Sequence, residues 1–165
     1  MLSLIEASSR QAVVELHRLL GFLRRPDQPD ELTPQPDLTR LPDLVAKVRQ
    51  GGLIVELSIQ GEQRSLPPTL EVSAYRVIQE ALTNASKHSG GTTARVSLDY
   101  KPTVLEVDIR DDGNGRVKQP ANQVGGHGLI GMRERVSLHG GHLSAMQTPK
   151  GFAVHATFPV NGTAA

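Results

Sequence analysis

Three short segments concentrate the residues that could do chemistry. The first is Glu80-Ala-Leu-Thr-Asn84-Ala-Ser-Lys87-His88. At 100° per residue, Glu80, Asn84, Lys87 and His88 fall along one flank of an apolar helical stripe, so all four can face a shared cavity while the stripe packs on a sheet. Asn84 offers an amide oxygen, a hard ligand suited to Mg2+, and Lys87 and His88 offer donors to phosphate oxygens. Glu80, one turn before Asn84, has the chemistry of a general base or of a holder of metal-bound water. Taken alone, the segment reads first as a solvated helix flank.

The second segment, Asp111-Asp-Gly113-Asn-Gly115, follows a strand directly. An ionised carboxylate at a strand end only accepts hydrogen bonds, which matches the exocyclic amine of adenine, and the glycines let the backbone come close to a purine. A plain Asp-Gly turn is the alternative. The third segment, Gly125-Gly126-His127-Gly128-Leu129-Ile130-Gly131-Met132, leads into a helix. Free N–H groups at a helix start, uncovered by glycine, can take phosphate without Lys or Arg. It is neither a Walker loop, which needs Gly-Lys-Ser/Thr, nor a Rossmann fingerprint, because it follows a long loop and not a strand.

Composition narrows the frame around these segments. The 165 residues allow one well-packed domain and an appendage. Apolar residues make up 38% and aromatics 3%, so a core must rest on Leu, Val, Ile and Ala. A formal net charge of +1 supplies no broad basic field for nucleic acid. Cysteine is absent, which excludes disulfides and thiolate metal sites. No export signal is evident, and no apolar run approaches the roughly 18 residues of a membrane span, so a cytoplasmic setting without direct membrane contact is expected.

The periodicities place the segments. Ile5, Ala12, Leu16, Leu19, Leu20 and Leu23 keep a helical period before a proline-rich stretch from Pro26. A short helix over Pro42–Gln50 is stopped by Gly51-Gly52, and Leu53, Val55, Leu57 and Ile59 then alternate as in a half-buried strand. The main helix starts at Pro67-Pro68, with Leu70, Ala74, Val77, Ile78, Ala81, Leu82 and Ala85 as its apolar face. Two alternating strands follow, Val96 to Tyr100 and Leu105 to Ile109, as antiparallel neighbours. The glycine-rich stretch 111–128 reads as a lid. A helix near Leu129–His139 and a hairpin of Leu143–Gln147 with Phe152–Phe158 complete the chain.

Order and spacing of the three segments resemble a family. Glu80–His88 resembles the N box, Asp111–Gly115 the G1 box and Gly126–Leu129 the G2 box of the Bergerat-fold (GHKL) ATPases, which include gyrase B, Hsp90, MutL and the histidine kinases. Tyr75-Arg-Val-Ile-Gln-Glu80-Ala-Leu-Thr-Asn84 and Gly128-Leu-Ile-Gly-Met-Arg-Glu-Arg135-Val are similar to the NarL-partner (NarX/DesK-like) class of sensor histidine kinases, a likeness covering about 53–160. The resemblance implies an α/β (α+β) two-layer sandwich, a mixed sheet covered on one face by helices, plus an N-terminal amphipathic helix. It implies ATP and Mg2+ as cofactors and γ-phosphoryl transfer to a histidine. Asp111 becomes the adenine contact, Asn84 the Mg2+ ligand, Lys87 and His88 phosphate neighbours, and Gly126 and Gly128 lid hinges. Glu80 and Asn84 are the catalytic candidates, with Glu80 open because transfer to histidine has less need of a water-activating base. Gly113, Gly115, His127, Leu129 and Thr157 complete the candidate nucleotide contacts, although His127 by itself reads as a mobile loop residue.

The same resemblance divides the chain. Residues 1–25 read as the end of a dimerisation and phosphoacceptor helix, 26–40 as a linker, 41–160 as the catalytic ATP-binding domain and 161–165 as a tail. The preceding acceptor helix is missing from the pattern, which implies a fragment or a truncated product that is not self-sufficient. Glu15-Leu-His17 superficially repeats the acceptor motif, but Arg18 replaces the expected acidic neighbour. The implied partners are the protein's own phosphoacceptor domain and a NarL-type response regulator, and the N-terminal stripe of Ile5, Leu16 and Leu23 is expected to pack against another chain in a helical bundle, as in a homodimer, or else to fray. The alternatives are a Bergerat-fold ATP hydrolase using Glu80, an anti-sigma-factor serine kinase, and a nucleotide-binding module that no longer catalyses.

Overall fold

The computed structural model describes residues 35–88, 92–113 and 127–160. The expected N-terminal amphipathic helix and the tail lie outside the described residues, as does the segment 114–126. A 3-10 turn, Leu38–Arg40, comes first, and its N-terminus is closed by the Asp37 carboxylate, which accepts from Thr39 N at 3.0 Å. Leu38 is buried and joins the core, although it falls within the stretch expected to be linker. Helix α1, Leu41–Gln50, carries Pro42 in its first turn, where a missing N–H costs nothing, and Lys47 and Arg49 in its last. It buries Leu41, Leu44 and Val45, and Arg49 Nε donates to Val55 O at 3.1 Å.

Strand β1, Ile54–Gly61, leads to α2, Pro68–His88, and α2 to β2, Thr93–Tyr100. Strands β1 and β2 run parallel, with Val55 opposite Ala94 and Leu57 opposite Val96. A parallel pair cannot be closed by a tight turn, and α2 is the crossover that closes it. All seven residues of the expected stripe on α2, from Leu70 to Ala85, are buried. Each fully buried Leu, Ile or Val gains about 1.5–3 kcal/mol over exposure, so this stripe, more than helix propensity, fixes the helix on the sheet.

Strand β3, Val104–Asp111, pairs antiparallel with β2, placing Val96 opposite Ile109 and Leu98 opposite Val107. Helix α3, His127–Ser137, precedes a hairpin of β4, His142–Thr148, and β5, Gly151–Pro159. Strand β5 inserts between β3 and β4, giving the order β1-β2-β3-β5-β4. The period of two then sorts the faces. Ala94, Val96, Leu98, Leu105, Val107, Ile109, Val154, Ala156 and Phe158 are buried on the helix side. The other face is polar, with Arg95 paired to Glu56 at 2.9 Å, Lys101 to Glu106 at 2.7 Å and Arg110 to Asp108 at 2.7 Å. Exposed pairs of this kind contribute about 0–1 kcal/mol each, so they keep the face soluble more than they hold it together.

Candidate functional site

Asp111 is the last residue of β3, and its register opposite the buried Ala94 turns its side chain to the helix side of the sheet. There it is half-buried, and its Oδ1 accepts from Gly113 N at 2.9 Å and from Phe152 N at 3.3 Å. Burial raises its pKa above the ordinary carboxylate value, the two backbone donors oppose that rise, and the Asp112 charge adds to it. Asp112 does the opposite. It is exposed and turns back on β2, where its Oδ1 accepts from Thr93 N at 2.8 Å and Thr92 N at 2.9 Å, which lowers its pKa, the Thr93 backbone bond leading. One carboxylate is thus held by the backbone on the helix side of the sheet, and its neighbour anchors the turn.

Topology brings the first segment to the same end of the sheet. Helix α2 ends at His88 and β2 begins at Thr93, beside Asp112, so the link between them spans less than about 18 Å. Glu80 and Asn84 are half-buried next to the buried Ala81 and Ala85, and Lys87 is exposed. His88 closes the helix, and its side chain lies outside the described residues. The third segment meets this flank directly, because a Cβ added to Gly128 would stand 2.4 Å from Glu80 Oε1. Helix α3 therefore begins against the polar seam of α2. Its first turn exposes His127 and leaves Gly128 half-buried. Leu129 points into the core, so its side chain seats the helix and only its main chain is available to a ligand.

Gly113 is buried beside Asp111, whereas Gly115 and Gly126 lie outside the described residues. Thr157 lies opposite Glu106 on the polar face of the sheet, away from Asp111, and its hydroxyl donates to His142 O at 3.4 Å. The alternation of Val154, Ala156 and Phe158 carries the signal that Thr157 must face the other way. Two residues that shape the site carry no motif, namely Gly151 and Phe152. Their part depends on β5 pairing with β3, which no local pattern announces.

The donor set suits a purine triphosphate: one hydrogen-bond acceptor held by the backbone, one amide oxygen, one Lys, and a helix start freed by glycine. Among the described residues no group of three or more His, Cys, Asp or Glu could hold a metal ion. A divalent ion there would share phosphate oxygens and water with the single Asn84 amide, as Mg2+ commonly does.

Comparison with known proteins places the fold in a family. The model of the histidine kinase-, DNA gyrase B-, and HSP90-like ATPase family matches residues 69–162, more than half of the chain. The chain belongs to that family. This ATPase-family domain is 35% identical over 142 residues to the signal transduction histidine-protein kinase/phosphatase UhpB of Salmonella typhimurium, covering 86% of the chain and 27% of UhpB. It is 35% identical over 130 residues to the sensor histidine kinase YxjM of Bacillus subtilis, covering 76% and 31%. With DegS of Brevibacillus brevis it shares 28% over 156 residues, covering 92% and 38%. The chain thus spans well under half the length of these relatives. The Acinetobacter baumannii histidine kinase AdeS has the same fold, at a TM-score of 0.60 and 15% identity over 96% of this chain and 82% of that one. Among the described residues no helix is long and apolar enough to cross a membrane.

Proposed function

We propose that this domain holds Mg-ATP in a two-component sensor histidine kinase and presents it to a histidine of the protein's own phosphoacceptor domain. The observation that carries the reading is the half-buried Asp111 carboxylate, held by two backbone N–H groups at the end of the sheet where α2 brings Asn84. Asp111 accepts from the purine amine. Asn84 offers its amide oxygen to Mg2+, while Lys87 and the first-turn N–H groups of α3 offset phosphate charge. ATP, when bound, supplies the transferable phosphoryl group. Catalysis of such a transfer rests on positioning and electrostatics, so a domain without a nucleophile of its own suffices for half of the reaction.

The relatives DegS and UhpB, both signal transduction histidine-protein kinase/phosphatases, support placing the domain in the NarL-partner class, and our reading adds a NarL-type response regulator downstream and a cytoplasmic site of action. In that reading Ile5, Leu16 and Leu23 pack against a second copy. The test is titration calorimetry of ATP and GTP with and without Mg2+, on wild type, Asp111→Asn and Asn84→Ala. Asp111→Asn is expected to weaken ATP and Asn84→Ala to abolish the dependence on Mg2+. Unchanged affinities in both variants would overturn the site, and tight ATP binding without transfer to an added phosphoacceptor domain would overturn the kinase.

A further inference from the structure

Gly151 opens β5 with a φ of +142°, a backbone conformation that side chains rarely adopt. A Cβ at this position would stand 1.9 Å from Asp111 O, 2.7 Å from Asp111 C and 2.8 Å from Asp111 Oδ1. The nearest two of these atoms belong to the main chain and cannot swing aside. Strand β5 therefore starts in direct contact with the residue that carries the proposed base contact. The consequence appears one residue later, where Phe152 N–H reaches Asp111 Oδ1 at 3.3 Å. Gly113 N–H takes the same oxygen at 2.9 Å.

Two donors on one oxygen fix which oxygen of the carboxylate is which. Oδ1 is committed to the backbone, and Oδ2 is the atom left to meet a base. We propose that Gly151 is a positioning residue for base selection: by lacking a side chain it lets β5 clamp Asp111 Oδ1, so that Oδ2 accepts from a 6-amino purine and opposes a 6-oxo purine. This inference rests on the ATP reading above and goes beyond it, because it places discrimination in the approach of β5 and not in the carboxylate alone.

The clamp makes a prediction that a freely turning side chain does not. In Asp111→Asn the two backbone N–H groups require an acceptor at the Oδ1 position, so the amide oxygen goes there and the amide NH2 takes the place of Oδ2. A donor then faces the base. The variant, isosteric with wild type, is expected to prefer inosine triphosphate, whose 6-oxo group accepts, over ATP. An unclamped Asn would turn its oxygen to the amine and keep the preference for ATP.

The experiment is calorimetric titration of the full chain with ATP and with inosine triphosphate. Wild type is expected to favour ATP by at least about tenfold, and Asp111→Asn to reverse the order. Gly151→Ala should bring the two nucleotides within about threefold of each other. Gly140→Ala, at a glycine with φ of +69° and nothing within 4 Å of an added Cβ, should leave the wild-type preference intact. A retained ATP preference in Asp111→Asn overturns the clamp even if Gly151→Ala fails to fold, as does a wild-type ATP preference in a folded Gly151→Ala. Failure of wild type to bind ATP at all overturns the nucleotide reading itself.

Discussion

The Glu80 carboxylate lies against Gly128, where an added Cβ would stand 2.4 Å from Oε1 and 3.2 Å from Cδ. The atom met is the tip of a flexible side chain, which can yield, and Ala is favoured over Gly in a helix by up to about 1 kcal/mol. Gly128→Ala is therefore expected to change stability by no more than about 1 kcal/mol in either direction. Urea denaturation checks this, and a loss above about 2 kcal/mol would mean that Glu80 is held too firmly to move. The effect should fall on nucleotide affinity, because the methyl group displaces Glu80 and covers the first turn of α3.

The pKa values of Asp111 and Asp112 are shifted in opposite directions, and the signs separate their roles. Burial raises the Asp111 pKa, so its ionised form destabilises the fold, and the stability it contributes is present at low pH and lost as pH rises through its folded pKa. Asp111→Asn should then be at least as stable as wild type at neutral pH, with the advantage vanishing in acid. ATP affinity should start to fall at a higher pH than an ordinary carboxylate would give. Melting curves and titrations across the acid range measure both.

For Asp112 the sign reverses. Hydrogen bonds from Thr93 and Thr92 lower its pKa, so its contribution is present above the unfolded value of 3.8 and is lost as pH falls through the folded one. Asp112→Ala leaves two exposed backbone N–H groups to water in place of this acceptor and should cost no more than about 1 kcal/mol at neutral pH. Urea midpoints of wild type and variant that converge in acid support this, and a penalty independent of pH would contradict it.

How much of this was readable follows from the range of each signal. The stripe from Leu70 to Ala85 and the alternation in β2, β3 and β5 are local, and local periods gave the elements and the buried faces correctly. Partnering is not local. Asp111 and Phe152 lie far apart in sequence and meet because β5 inserts between β3 and β4, so neither the second donor on Asp111 nor the role of Gly151 could be derived from the motifs. Thr157 is named by likeness, while its own strand period places it on the other face of the sheet, opposite Glu106. Leu38 was hidden among prolines, whose composition masks one buried anchor.

Leu82 is fully buried on the helix that carries Glu80 and Asn84. Leu82→Ala would leave a cavity between that helix and the sheet, with an expected loss of about 2–5 kcal/mol. Chemical denaturation measures it. A loss below about 1 kcal/mol would show that α2 can settle into the gap, and in that case ATP affinity should fall because Asn84 moves with the helix.

The other end of α2 is tied by a polar contact. His139 Nε2 lies 2.9 Å from Ser73 Oγ, and the same ring leans on Phe158 with centroids 6.0 Å apart. His139 follows α3, so this contact joins the start of α2 to the end of α3, while Glu80 near the middle of α2 meets Gly128 at the start of α3. A half-buried hydrogen bond of this kind contributes about 0.5–1.5 kcal/mol. Ser73→Ala should cost about that much, and in His139→Phe, which keeps the ring, the same Ser73 change should cost almost nothing further. A double-mutant cycle from urea midpoints gives the coupling directly. Additive losses would mean that the hydroxyl and the ring stabilise the helices independently.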